Sequence, residues 1–243
     1  MTVPAPGLLV VGDVVTDVVA LHGGPPRPGT DTEADIAVRA GGSAANTAAW
    51  AAWLGADARL LARVGADTGA WHEERLRAAG VRPRLPVDPD HRTAMIIVMV
   101  DGSGERTMLT HRGAGALLGP GDWDDGLLDG VVWLHLSGYT LFTEPGRALA
   151  AVAVRRARER EVRVSVDPAS TGFLAGFGEE RFLAATQGAA VLFPNREEAA
   201  QLSGLAEPDA AAEHLSARYG LVVCKLGAGG AVAARDGRVV ARV

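Results

Sequence analysis

The stretch Ala40-Gly41-Gly42-Ser43-Ala44-Ala45-Asn46-Thr47-Ala48 decides how the chain is read. Two adjacent glycines end one pattern and open another. Ahead of them, Thr30–Ala40 alternates: Ala34, Ile36, Val38 and Ala40 fall on one face, Asp31, Glu33, Asp35 and Arg39 on the other. A period of two marks a strand. Behind them, the alanine-rich run Ala44–Leu54 is a helix candidate. Glycines at such a junction let backbone approach a ligand, because there is no Cβ. The free N–H groups of the first helical turn can hold hydroxyls or anions. Asn46 offers both a donor and an acceptor, which suits a polyol. On these residues alone, a plain turn is the commoner reading.

Outward from this junction, short apolar runs alternate with helical ones. Leu8–Val11, Leu60–Val64, Val131–Leu136, Val162–Val166, Ala190–Phe193 and Leu221–Cys224 read as strands buried on both faces of a parallel sheet. Thr68–Ala79, Pro145–Arg160, Arg196–Leu202 and Asp209–Tyr219 read as helices. Thr68 suits a helix cap, Gly80 a left-handed C-terminal stop, and Pro145 a first turn. Alternating β and α units predict a three-layer α/β/α, Rossmann-like domain. Thr93–Val100, the turn Asp101-Gly102-Ser103-Gly104 and the return Arg106–Thr110 join Thr30–Ala40 in a small antiparallel sheet. Beside a nucleotide-type fold, such a sheet is expected to act as a lid, although a plain edge hairpin reads equally well. The organisation expected is one domain over 1–243, with lid segments at about 18–40 and 92–112.

The 243 residues carry a net charge of −5 and show no basic stripe, so no nucleic-acid partner is expected. The densest basic run, Arg155–Arg160, is the exposed end of a helix. Met1 to Gly7 has no basic region ahead of its apolar run, and no stretch has the roughly 18 apolar residues of a membrane helix. The single Cys224 excludes an intrachain disulfide, and a reducing, cytoplasmic location is expected.

With these elements in order, the chain resembles the ribokinase (PfkB) family of small-molecule kinases. The resemblance is carried by Gly12-Asp13-Val14-Val15-Thr16-Asp17, the Pro28-Gly29 turn, Gly41-Gly42 with Asn46, Leu54-Gly55-Ala56, and Arg63-Val64-Gly65-Ala66-Asp67. It covers nearly the whole chain. It implies a ribokinase-like fold and ATP-dependent phosphorylation of a sugar, nucleoside or related alcohol, with ATP and Mg2+ as cofactors. By position, Asp17 matches an aspartate that binds substrate hydroxyls, and Asp13 is a second contact or a strand-end cap. Gly41, Gly42 and Asn46 complete that end. Pro194-Asn195-Arg196-Glu197-Glu198 resembles the family's Asn-x-x-Glu element, with Asn195 near the phosphates and Glu198 governing magnesium. The same four residues also spell a helix capping box. Lys225-Leu226-Gly227-Ala228-Gly229-Gly230 resembles the glycine loop that touches ATP, although many hairpins read the same way. This makes Lys225, Gly227 and Gly229 nucleotide contacts.

Two further stretches lie where open α/β sheets bind ligands. Ser137 and Tyr139 follow a core strand and face the acceptor. Arg112, after the lid return, steadies an anionic acceptor or the moving phosphoryl group. Loop filler is the commoner reading of both. The family's Gly-Ala-Gly-Asp element, whose helix start forms an anion hole and whose aspartate is the general base, does not occur in this sequence. Three expectations follow: a fragment of a longer kinase, a sugar- or nucleotide-binding pseudoenzyme without turnover, or completion by another chain. A dinucleotide oxidoreductase is disfavoured, because Gly113-Ala114-Gly115-Ala116-Leu117-Leu118-Gly119 has the wrong spacing for its fingerprint. An exposed apolar lid predicts a homodimer formed through it.

Overall fold

The structure is a computed structural model that describes residues 6–243. The reading of Met1 to Gly7 therefore falls largely outside the described residues. In chain order the elements are β1 (Gly7–Val11), β2 (Val15–His22), β3 (Ala34–Gly41), α1 (Ser43–Trp53), β4 (Asp57–Leu61), β5 (Val64–Gly65), α2 (Gly69–Ala78), β6 (Arg82–Arg84), β7 (Val87–Asp88), β8 (Ala94–Val100), β9 (Arg106–His111), β10 (Val131–Ser137), α3 (Glu144–Glu159), β11 (Arg163–Asp167), α4 (Thr171–Phe177), α5 (Glu179–Ala185), β12 (Val191–Leu192), α6 (Arg196–Ser203), α7 (Pro208–Ser216), β13 (Leu221–Lys225), β14 (Ala231–Arg235) and β15 (Arg238–Arg242).

Nine strands form the main sheet in the order β15-β14-β13-β12-β11-β10-β1-β4-β6. From β13 to β6 all neighbours are parallel, and β14 and β15 are antiparallel additions at one edge. Successive side chains of a strand point to opposite faces. Leu9 and Val11 of β1 accordingly enter a large core with Leu134, Leu136, Val164 and Val166, covered by α3 and α7 through Leu149, Ala153, Ala212 and Leu215. Val10 enters a second core with Leu60, Val64 and Leu76, covered by Ala44, Ala45 and Ala48 of α1. These two apolar layers, one on each side of the sheet, are the three-layer arrangement expected from the alternating pattern. Each fully buried Leu or Val contributes about 1.5–3 kcal/mol.

Strand order reverses at the centre. From β1 the chain adds β4 and β6 on one side, then returns to add β10 to β13 on the other. The C-terminal ends of β1 and β10 thus flank a topological switch point, where such sheets open a crevice.

A second sheet has the order β3-β2-β8-β9. Its outer pairs are antiparallel, but the central pair β2 and β8 is parallel. The sheet is therefore mixed, not wholly antiparallel. The reason is tertiary: both central strands leave the main body at the same end, Val15 beside Ala94, and run outward together. The crossings are pinned at the start of α2. Thr16 Oγ1 lies 2.9 Å from His72 Nε2, and the Thr93 amide and hydroxyl both donate to Asp67 Oδ1 at 2.9 Å. Thr68 stands at the N-cap of α2 without a side-chain cap bond, its hydroxyl lying instead 3.4 Å from that of Thr16. Gly80 has φ 82° and ends α2 as expected.

Candidate active site

Asp13 sits at the switch point. Its carboxylate accepts from the Ser43 amide at 2.7 Å, the Ala44 amide at 3.3 Å and the Ser137 hydroxyl at 3.0 Å. It therefore caps α1 from 30 residues away and joins β1 to β10. Burial holds this carboxyl above its ordinary range, against the pull of those hydrogen bonds.

Gly42 has φ 110°, a region closed to most L residues, and a Cβ there would stand 2.6 Å from the Asp13 carbonyl oxygen. Gly41 has an ordinary φ, but a Cβ on it would lie 2.0 Å from Asp17 Oδ2. The Asp17 carboxylate thus rests directly over the Cα of Gly41. It takes no hydrogen bond among the described residues, and burial and then the charge of Asp13 raise its pKa. Asp17, Val15 and Ile96 share one face of the second sheet, and Val15 and Ile96 line the pocket that Asp13 floors.

That pocket is a partly open cleft with a mostly apolar lining. Arg112, Tyr139, Thr140, Thr110 and Phe173 form its other walls. Arg112 Nη2 donates to the Tyr139 carbonyl at 2.6 Å, and its guanidinium stands 5.5 Å from the Phe173 ring centre. The Tyr139 phenol is half-buried, and burial pushes its pKa up to about 12, so it stays protonated. Ser137 is fully buried beneath Asp13. Asn46 stands apart: it is exposed one turn into α1 and lines a shallow groove with Ala49, Trp50 and Trp53. The helical spacing that placed it near the glycines does not turn its side chain into the pocket.

The second cluster lies on the same edge of the main sheet. Asn195 caps α6: its side chain accepts the Glu198 amide at 2.8 Å, and its own amide donates to Glu198 Oε2 at 2.8 Å. The capping box is real. Glu198 is only 2% exposed. Burial raises its pKa to about 7, helped by the nearby charge of Asp167. Lys225 ends β13, bridges Asn195 in parallel register, and donates to Asp167 Oδ2 at 2.5 Å. Gly227–Gly229 forms one exposed 3-10 turn of the β13–β14 hairpin, with Gly227 at φ 59° and Gly230 at φ 80°.

Asp167 was not singled out from the sequence. It is the polar residue closing an apolar core strand, just before Pro168, as Ser137 closes its own strand. It pairs in register with Ser137. Asp13, Ser137, Asp167, Asn195 and Lys225 therefore mark the C-terminal ends of five neighbouring parallel strands. Four strand spacings put the two ends of this row about 19 Å apart. Gly113–Leu117 is a 3-10 turn after β9, not a strand-to-helix crossover, which removes the support for a dinucleotide fingerprint.

The family model described as pfkB family carbohydrate kinase matches residues 5–242. An ATP-dependent ribose-1-phosphate kinase of Halopiger xanaduensis is 33% identical over 180 residues, covering 72% of this chain and 57% of that protein. A fructokinase of Salmonella typhimurium is 29% identical over 161 residues, covering 65% and 49%. The match spans about half the length of these curated relatives. The adenosine kinase structure from Sinorhizobium meliloti superposes with a TM-score of 0.87 at 25% identity, covering 98% of this chain and 79% of that one. A ribokinase-type protein from E. coli, solved with ATP and Mg2+, superposes at 0.84 and 21% identity, covering 98% and 78%.

Proposed function

Since the chain belongs to the pfkB family of carbohydrate kinases, we propose that it transfers the γ-phosphoryl group of ATP to a hydroxyl of a sugar or sugar-like alcohol. The observation that carries this reading is the unbroken polar row from Asp13 to Lys225 along one sheet edge. It supports a continuous route from nucleotide to acceptor.

In this reading Asp13 and Asp17 accept hydrogen bonds from acceptor hydroxyls, and Ser137 keeps Asp13 aimed at them. Gly41 and Gly42 let the acceptor approach the backbone beside the first turn of α1, whose flank bears Asn46. Tyr139 and Arg112 form the far wall. At the other end Lys225, Asn195 and the exposed Gly227–Gly229 turn receive the phosphates. Placing the two reactants in line is most of what phosphoryl transfer requires of a protein.

The residues present fit a magnesium ion held mainly by phosphate oxygens and water. Two carboxylates, Glu198 and Asp167, face the phosphate end, and among the described residues no group of three or more His, Cys, Asp or Glu forms a closed cage. When bound, magnesium would neutralise charge on the phosphates. Glu198 would hold its water shell and must be ionised to do so.

The second reading is ligand binding without turnover. Magnesium-dependent ADP formation with a pentose, hexose or sugar acid from a broad panel supports the first reading. Ligand-induced thermal stabilisation without ADP supports the second. Absence of both responses removes both readings.

Two further properties belong to this proposal. A homodimer through the second sheet is supported by its outward face, where the register aligns Val38, Val18, Ile97 and Leu109 in one apolar row. Val38, Ile97 and Leu109 are 59%, 41% and 56% exposed, and a second copy would cover them. Residence in the cytoplasm is supported by the single, buried thiol of Cys224. Among the described residues, no helix is long and apolar enough to cross a membrane.

A further inference from the structure

The acceptor pocket holds opposite charges that feel each other without forming a direct ion pair. Asp13 lies on its floor and Arg112 on its wall. Arg112 enters no ion pair among the described residues, although its guanidinium is half-buried. Of its five donors, one is used, on the Tyr139 carbonyl. The Phe173 ring lies at cation–π distance from the group, 5.5 Å to its centre. A half-buried guanidinium with unused donors favours a ligand that brings an anion.

A second, independent feature lies in the wall of the same cavity. Thr140 is 6% exposed, lines the pocket, and its hydroxyl oxygen has no hydrogen-bond partner. Its neighbour Thr143 is already engaged as the cap of α3, accepting the Gly146 amide at 3.2 Å. A buried, unpartnered hydroxyl in a native pocket calls for a missing partner. The rest of the lining is apolar: Val15, Ala94, Ile96 and Leu118 suit the carbon face of a short chain or ring.

Resting on the kinase reading above, we infer that the acceptor is a polyhydroxy compound carrying one anionic group, a carboxylate or a phosphate. Arg112 and Thr140 hold that group while Asp13 and Asp17 hold hydroxyls at the opposite end. Arg112 is thus the residue that separates charged from neutral sugars. A planar guanidinium suits both anions, since each offers two oxygens for paired N–H donors.

The test measures binding to the full chain without nucleotide, by calorimetry and thermal shift. D-gluconate and D-ribose 5-phosphate serve as anionic probes, D-fructose and D-ribose as neutral ones, and inorganic phosphate and adenosine as controls. The expected result is that at least one anionic sugar binds about tenfold or more tightly than the neutral sugars. Arg112→Met brings the ratio of anionic- to neutral-sugar affinity down to about one, Arg112→Lys keeps part of the preference, and Thr140→Val lowers it. The gluconate and ribose 5-phosphate arms tell carboxylate from phosphate. Neutral sugars or adenosine binding best, with Arg112→Met indifferent, would overturn the inference. If ADP still forms with those ligands, the kinase reading survives its loss. Inorganic phosphate matching the sugar phosphate in affinity also overturns it, because the site would then read the anion and not the acceptor. No binding by any probe, with no ADP from any, overturns inference and kinase reading together.

Discussion

Gly41→Ala isolates the role of Asp17. Gly41 has no unusual φ, so an alanine meets no backbone strain there. Its Cβ would fall 2.0 Å from Asp17 Oδ2 and 2.9 Å from Cγ, and the carboxylate must swing aside. It takes no protein hydrogen bond, so the fold loses little beyond a strained rotamer, about 0.5–1.5 kcal/mol. In a chain of this size that lowers Tm by at most about 6 °C. The effect on the acceptor is larger. A charge-assisted hydrogen bond to a hydroxyl contributes about 1.5–3 kcal/mol, so its loss weakens binding about ten- to hundredfold. Calorimetry with the best-binding sugar, run on wild type, Gly41→Ala, Asp17→Ala and the double variant, gives a closed cycle. If the methyl acts by displacing the carboxylate, Gly41→Ala costs nothing further once Asp17 is alanine. Full additivity of the two changes, or unchanged affinity in Gly41→Ala, would refute the reasoning.

Other outcomes follow from the same geometry. Gly42→Ala combines φ 110° with a contact of 2.6 Å to the Asp13 carbonyl, and should lower stability by about 2–4 kcal/mol in urea unfolding. Glu198 has a folded pKa of about 7 against 4.5 unfolded. The folded state therefore binds the extra proton, and stability present below about pH 4.5 falls as pH rises through 7, by at most about 3 kcal/mol. Glu198→Gln keeps the capping oxygen and should flatten that decline in unfolding measured from pH 4.5 to 8.5, while weakening magnesium-dependent nucleotide binding. Lys225→Met removes an ion pair whose lysine is about half exposed, so Tm should barely move; ATP affinity by titration should fall about tenfold.

What could be read in advance divides along physical lines. Core strands such as Val131–Leu136 announced themselves because burial on both faces demands an unbroken apolar run. The edge strand β6 did not: its residues are Arg82, Pro83 and Arg84, and an edge needs little apolar surface. Helices α4 and α5 are seven residues each, broken by Gly178 at φ 97°, too short for a helical period to show. The parallel pairing of β2 with β8 is invisible locally, since direction is set by where both strands leave the body. Asp13 and Gly42 were legible as a strand end and a turn. That one caps the other's helix across 30 residues was not, because nothing in either segment names its partner. Asn46 was placed correctly along the helix but not around it.

The pinning of β2 and β8 at Thr16 and Thr93 has a mechanical consequence. Both tethers end within Asp67–His72, so the second sheet is a cantilever clamped along one short line. Its eight-residue strand β2 reaches about 26 Å from that clamp. A rotation of about 10° there sweeps the free tip through about 4–5 Å, while Val15, next to the fulcrum, scarcely shifts. A swing of the sheet about that line would thus leave the pocket floor untouched and still move the outer rim by more than the width of a water molecule.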